Sequence, residues 1–167
     1  MMQTKVGLAM AFAVVGAVAC GRSGELALPT ADQVVAYYEY DAGLSAEIVG
    51  NVAVLSVEQS PQQLRSGGTL WAKVGPYVFL FSEETRTLFE DYPGLAAVRV
   101  ITHVGDAEVA NALLTHDELT DVLWRRSLNI SGRARRDGTQ RMTLLEDLVD
   151  WGEEHTEFMY NPQYTRR

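Results

Sequence analysis

Three histidines and a run of arginines are the side chains in this sequence with chemistry to offer. His103 stands beside Thr102 in an apolar, β-branched stretch. His116 precedes Asp117 and Glu118, and His155 follows Glu153 and Glu154. An imidazole next to carboxylates is the raw material of an acid–base pair or a metal site. No two histidines lie one helical turn apart, and Cys20 is the only cysteine. The strings G-x-x-x-x-G-K-[ST], G-x-G-x-x-G, H-E-x-x-H and G-x-S-x-G are all missing. Gly67-Gly68 follows Ser66 without a phosphate-binding lysine and reads as a turn. The expectation is a protein that is not an enzyme and has no metal and no cofactor. The residual catalytic reading is a hydrolase using His116 with Asp117 or Glu118.

The arginines are more informative. Residues 125–141 hold Arg125, Arg126, Arg133, Arg135, Arg136 and Arg141 against one acid, Asp137, a net charge of +5. The next stretch carries Glu146, Asp147, Asp150, Glu153, Glu154 and Glu157. Two readings follow. A basic helix and an acidic helix can pair as a complementary hairpin, with arginines meeting Glu146, Asp150 or Glu153. Alternatively, Arg125, Arg126, Arg133 and Arg136 form a site for an anionic ligand or partner. Leu119, Val122, Leu123 and Ile130 supply the apolar stripe that keeps these arginines off the core. Trp71 or Trp124 with nearby arginines could instead line a pocket for a small ligand or glycan. Tyr37, Tyr38 and Tyr40 crowd one predicted helix, and Tyr160 and Tyr164 lie in the C-terminal tail. A helix cannot bury all three of the first group on one narrow face, so at least one is exposed or hydroxyl-paired. These five tyrosines are candidate interface aromatics.

The start of the chain, MMQTKVGLAMAFAVVGAVACG, places one charge, Lys5, before an unbroken run of 14 apolar or glycine residues from Val6 to Ala19. That is the layout of an export signal. The run falls short of the about 20 residues a spanning helix needs. Ala17-Val18-Ala19-Cys20 resembles the lipobox of bacterial lipoproteins. The resemblance covers residues 1–21 only. It implies acylation of the Cys20 thiol, cleavage just before it, and a lipid bilayer as a partner through that anchor. Gly21, where an aspartate often marks inner-membrane retention in that family, implies an outer-membrane, periplasm-facing location in the cell envelope. An ordinary secretory signal cut near Ala19, or a short uncleaved anchor, would leave Cys20 as a free thiol. With Cys20 lipidated, the remaining chain has no thiol for a disulfide, a nucleophile or a metal.

Cleavage after residue 19 removes Lys5 and no acid, leaving 13 basic against 22 acidic side chains, a net charge of −9. A chain this acidic is not a generic nucleic-acid binder. Residues 20–29 read as a tether and 30–167 as a single domain. Four stretches fit the capping box: Thr30 to Gln33, Ser60 to Gln63, Thr115 to Glu118 and Thr143 to Glu146. They predict helices over 31–40, 61–65, 116–135 and 144–156, with a further helix over 83–91 capped by Ser82. Strands are expected over 48–57, with Gly50 as a bulge or turn, and over 69–74 and 77–81 around Gly75-Pro76. Residues 96–104 and 107–114 flank the hairpin signal Gly105-Asp106. The fold class is α+β: an antiparallel sheet of about five strands, covered by helices on one face, with a C-terminal helical hairpin. The expected role is that of a membrane-anchored, non-catalytic interaction subunit binding an envelope protein. A small-ligand or glycan-binding lipoprotein is the alternative.

Overall fold

The computed structural model describes residues 26–38 and 43–165. Cys20, the proposed signal and Tyr40 lie outside the described residues. Thr30 caps the first helix as its sequence predicts. Its hydroxyl accepts from the Gln33 amide at 3.3 Å, and the Gln33 side chain accepts from the Thr30 amide at 2.8 Å. Helix α1 runs Ala31–Tyr37. Strands β1 (Leu44–Val49) and β2 (Val52–Glu58) follow as an antiparallel hairpin. Gly50 is therefore a turn, and the single strand expected over 48–57 is in fact two strands.

Helix α2 occupies Pro61–Leu80 and replaces both strands expected there. Gly68, at φ 63° and ψ −156°, breaks it; this conformation is open to glycine. Beyond the break, the run from Thr69 is helical and carries Pro76 internally. Short apolar runs do not distinguish a buried strand from a buried helix by periodicity. Burial decides it: Ala72, Val74, Tyr77 and Leu80 are all sealed, and that packing overrides the local cost of an internal proline. Helix α3 (Glu83–Asp91) is capped by Ser82, whose hydroxyl accepts from the Thr85 amide.

Strands β3 (Ala97–Val104) and β4 (Ala107–Thr115) form the second hairpin, with Gly105 at φ 55°. The α2–α3 crossover lets β3 pair with β2 in parallel, so the sheet is mixed rather than wholly antiparallel. Helices α4 (Asp121–Asp137) and α5 (Met142–His155) make the C-terminal hairpin. Strand β5 (Glu157–Tyr160) then adds antiparallel to β4, and a short turn of helix, α6 (Pro162–Thr165), closes the described chain. The sheet order is β1-β2-β3-β4-β5. The protein is α+β, with five strands and its helices packed on one face of the sheet.

The inward-facing rows are Ala53, Leu55 and Val57 of β2, Val98 and Val100 of β3, and Ala112 and Leu114 of β4, all buried. Against them sit Tyr77, Leu80, Leu88, Leu145 and Leu148 from the helices, with Phe81 just past the end of α2. Three expected capping boxes are not used: Ser60 stands at the N-cap of α2, but its side chain makes no cap hydrogen bond. Helix α4 is capped by Thr120 rather than Thr115, because Thr115 still belongs to β4. Helix α5 begins after Arg141, whose side chain makes no cap bond.

Candidate functional site

The α4–α5 hairpin forms, but not through charge pairing. Its seam is apolar: Trp124 and Ala134 of α4 join the same cluster as Leu144, Leu145, Leu148 and Trp151 of α5. One buried polar link crosses it. The Trp151 indole donates to Ser127 Oγ at 2.8 Å, and that hydroxyl donates to the Leu123 carbonyl at 2.9 Å. Among the described residues, no α4 arginine meets an α5 carboxylate. The ion pairs are Lys73–Glu153, Arg86–Glu90, Arg136–Asp137 and His155–Glu118. The expectation that arginines meet Glu146, Asp150 or Glu153 is therefore corrected. Glu153 is taken by Lys73 of α2, while Glu146 and Asp150 are exposed.

At about 100° per residue, Arg125, Arg126, Arg133 and Arg136 fall opposite the buried arc of Trp124, Ser127, Ser131 and Ala134. All four are exposed. Arg126 lies over the Trp151 ring at 4.3 Å, a cation–π contact. Arg136 has only its neighbour Asp137, at 3.2 Å, with its own side chain 70% exposed. Arg125 and Arg133 have no carboxylate within ion-pair distance among the described residues. Val122, 64% exposed, shares this outward face. The result is a cationic stripe about 16 Å long at 1.5 Å per residue, on a chain whose net charge is −8.

Arg135 points elsewhere. It falls beside the buried arc and lines a cleft of about 300 Å³ with Gln59, Trp71, Val78, Phe79 and Leu145. The Gln59 amide oxygen itself is sealed from solvent and has no hydrogen-bond partner. An unmade bond of this kind costs about 1–3 kcal/mol. Trp124, the other tryptophan considered for a pocket, is 6% exposed, packs edge-on against Phe89 and lines a separate cleft of about 310 Å³ with Arg86 and His116.

Two of the histidines, His116 and His155, are held by ring contacts and hydrogen bonds. His116 Nδ1 is 2.8 Å from the Leu95 carbonyl, and its ring stacks on Phe89 at 4.6 Å. Glu118 turns away from it to His155, whose Nδ1 lies 3.1 Å from Glu118 Oε1. This is not the His116 dyad that the sequence suggests. The His155 ring is 11% exposed and tilted against Trp151 at 4.1 Å. Its Nε2 is buried without a partner. A general base must come within hydrogen-bond reach of its substrate, and this nitrogen is sealed from solvent. His103 lies on β3 between Glu58 and Glu108 in register. Among the described residues, no group of three or more His, Cys, Asp or Glu is arranged to hold a metal ion.

The tyrosines are tied into the fold more closely than their sequence positions suggest. Tyr38 is buried and its hydroxyl pairs with Thr85 at 2.7 Å, so it is not an interface aromatic in the folded domain. Tyr37 donates to Asp91 at 2.6 Å and meets Tyr92 edge-on. Tyr160 is hydroxyl-paired with Tyr77, under the Lys73 ammonium. Tyr164 lines a shallow groove with Pro61, Leu64 and Arg65. The hydrogen bond to Asp91 pushes the Tyr37 phenol up to about 12, and burial pushes Tyr77 up to about 12 as well. Burial raises Tyr38 and Tyr160 too. A phenol whose pKa is raised in the fold favours the folded state below its unfolded value of 10.0, and that contribution is lost as pH climbs through about 12. Denaturant melts are expected to hold steady up to pH 10 and then to lose stability toward pH 12, with phenolate absorbance rising alongside unfolding. Unchanged stability at pH 12 would contradict these buried and carboxylate-paired phenols.

No protein-family model, curated protein or solved structure matches the chain. Among the described residues, no helix is long and apolar enough to cross a membrane.

Proposed function

We propose that this chain is a bacterial lipoprotein, anchored through Cys20, whose domain is a non-catalytic interaction subunit of an envelope complex. The outward face of α4 is the surface that meets its partner, and the partner presents acidic side chains. One observation carries the reading: Arg125 and Arg133 stand exposed, in line with Arg126 and Arg136, without a carboxylate partner among the described residues. Like charges on one helix face repel one another. A sequence with 22 acidic side chains could have neutralised them, and α5 beside them carries the acids to do so. Exposed arginine is also enriched where proteins meet. The lipobox-like Ala17-Val18-Ala19-Cys20 supports the address.

The alternative is that the arginines serve the hairpin. A thermal melt of Arg133→Gln combined with Arg136→Gln separates the two. The double change removes only the exposed Arg136–Asp137 ion pair. Stability is therefore expected to stay within about 0.5 kcal/mol of wild type, or to rise slightly at low salt as repulsion is relieved. A clear loss at low salt that high salt blunts would return the arginines to the fold.

A further inference from the structure

We infer that the face of the sheet turned away from the helices packs against a second copy of this chain, about a two-fold axis along β4. Alternate residues of each strand point to this side. Two rows cross all five strands in register. One reads Glu47, Val54, Arg99, Leu113 and Glu157, and the other Ser45, Ser56, Ile101, Asn111 and Met159. Val54 and Leu113 are buried, yet they lie outside the core cluster that takes in their neighbours Leu55 and Leu114. A sheet with one face packed and the other in water alternates apolar with polar residues. Here the outward rows also carry Val54, Ile101, Leu113 and Met159, the last 62% exposed.

The pattern is its own complement. Over β3, β4 and β5 the first row runs cation, apolar, anion: Arg99, Leu113, Glu157. The second runs apolar, amide, apolar: Ile101, Asn111, Met159. A two-fold rotation about β4 exchanges β3 of one copy with β5 of the other and keeps each row at its own level. It sets Arg99 of each copy against Glu157 of the other, and Ile101 against Met159. Leu113 and Asn111 meet their own counterparts, as residues on an isologous axis do. Packed sheets lie about 10 Å apart with their strands within about 30° of each other, so rows near the axis stay opposed. Arg99 and Glu157 each lack an ion-pair partner among the described residues. Arg99 is half-buried on this face and donates to the Asn111 amide oxygen at 2.8 Å, a neutral partner. A guanidinium held there is placed for a carboxylate arriving from the facing sheet. An axis along β2 matches less well. It would give Arg99 the Glu47 of the other copy, but it would set Ile101 against Ser45 and leave Met159 in water. Methionine is enriched where proteins meet. Three strands against three make a small contact, at the low end for specific pairs, so the dimer is weak and dissociates on dilution. The face is separate from the α4 stripe, and its test does not depend on the proposed partner.

The experiment uses the full chain in a non-ionic detergent, with micelles in excess so that two chains do not share one by chance. Sedimentation velocity over a range of chain concentrations is expected to show a monomer–dimer equilibrium. Arg99→Glu alone and Glu157→Arg alone should each weaken it about tenfold or more, because each sets like charges face to face twice in the dimer. Mixed one to one, the two variants should recover the wild-type affinity. The mixed dimer holds one native Arg99–Glu157 pair and one reversed pair, and its recovery also shows that both variants are folded. The inference is overturned if the chain is monomeric at every concentration, the face then being left to residues 1–25 or to another protein. It is equally overturned if both single variants dimerise as wild type does, or if mixing them recovers nothing. Recovery of Arg99→Glu by Glu47→Arg and not by Glu157→Arg would overturn the axis along β4.

Discussion

Replacing Tyr77 with alanine is expected to cost about 3–5 kcal/mol, the range for deleting a large aromatic from a packed core. A domain of this size is stable by only about 5–15 kcal/mol, so the variant should be marginal or unfolded at physiological temperature. Tyr77 is 0% exposed, on the helix that touches β3, β4 and α5 together. Its ring stacks on Phe81 with centroids 6.0 Å apart. Its other side rests on Gly152 of α5, where a Cβ would collide with the ring. Its hydroxyl pairs with Tyr160 and so ties the last strand to the central helix. Tyr77→Phe isolates that bond, and should cost only about 0.5–1.5 kcal/mol. Denaturant melts of both variants give the comparison. A Tyr77→Ala protein within about 1 kcal/mol of wild type would mean that the α2–α5 seam does not hold the fold as described.

Cys20→Ser should move the protein from membranes to the soluble fraction almost completely, or leave it as uncleaved precursor. Two or three acyl chains hold a domain durably at a bilayer, whereas one gives only marginal, reversible binding. Residues 20–167, with 13 basic and 22 acidic side chains, have little charge-driven affinity of their own for an anionic leaflet. Without a thiol at residue 20 there is no other cysteine to acylate. Fractionation, with mass spectrometry of the native N-terminus, reads the outcome. An unmodified N-terminus at another residue would remove the lipoprotein assignment.

Where local chemistry is decisive, the sequence can be read. The Thr30–Gln33 capping box, the Ser82 cap, the Gly105-Asp106 turn and the one-sided α+β layering follow from side chains a few residues apart. What cannot be read depends on distant partners. The segment after Gly68 is helical because Tyr77 and Leu80 are buried against the sheet and α5, which no window of about twelve residues contains. The parallel β2–β3 pair follows from that same segment, since two helices rather than two strands intervene. Strand β5 is four residues long and exists by pairing with β4. For the site, the outward position of Arg125, Arg126, Arg133 and Arg136 follows from helical spacing alone. The separation of Arg135 from them is encoded in the same spacing, but it emerges only once the buried arc is known. Gln59 gives no signal at all, because an unpartnered oxygen is a property of its surroundings.

Capture from gently solubilised membranes tests the central claim most directly. Wild-type chain and a variant combining Arg125→Glu with Arg133→Glu would be purified side by side from the envelope of the native host, and what remains bound would be identified. Neither arginine has an ion-pair partner among the described residues, so the folded domain should tolerate the reversal. The expected result is a reproducible acidic envelope protein on the wild type, released by high salt and missing from the variant. A wild-type domain that repeatedly comes out alone and monomeric, or a partner that the reversed variant retains equally well, would contradict the arginine face as an interaction surface.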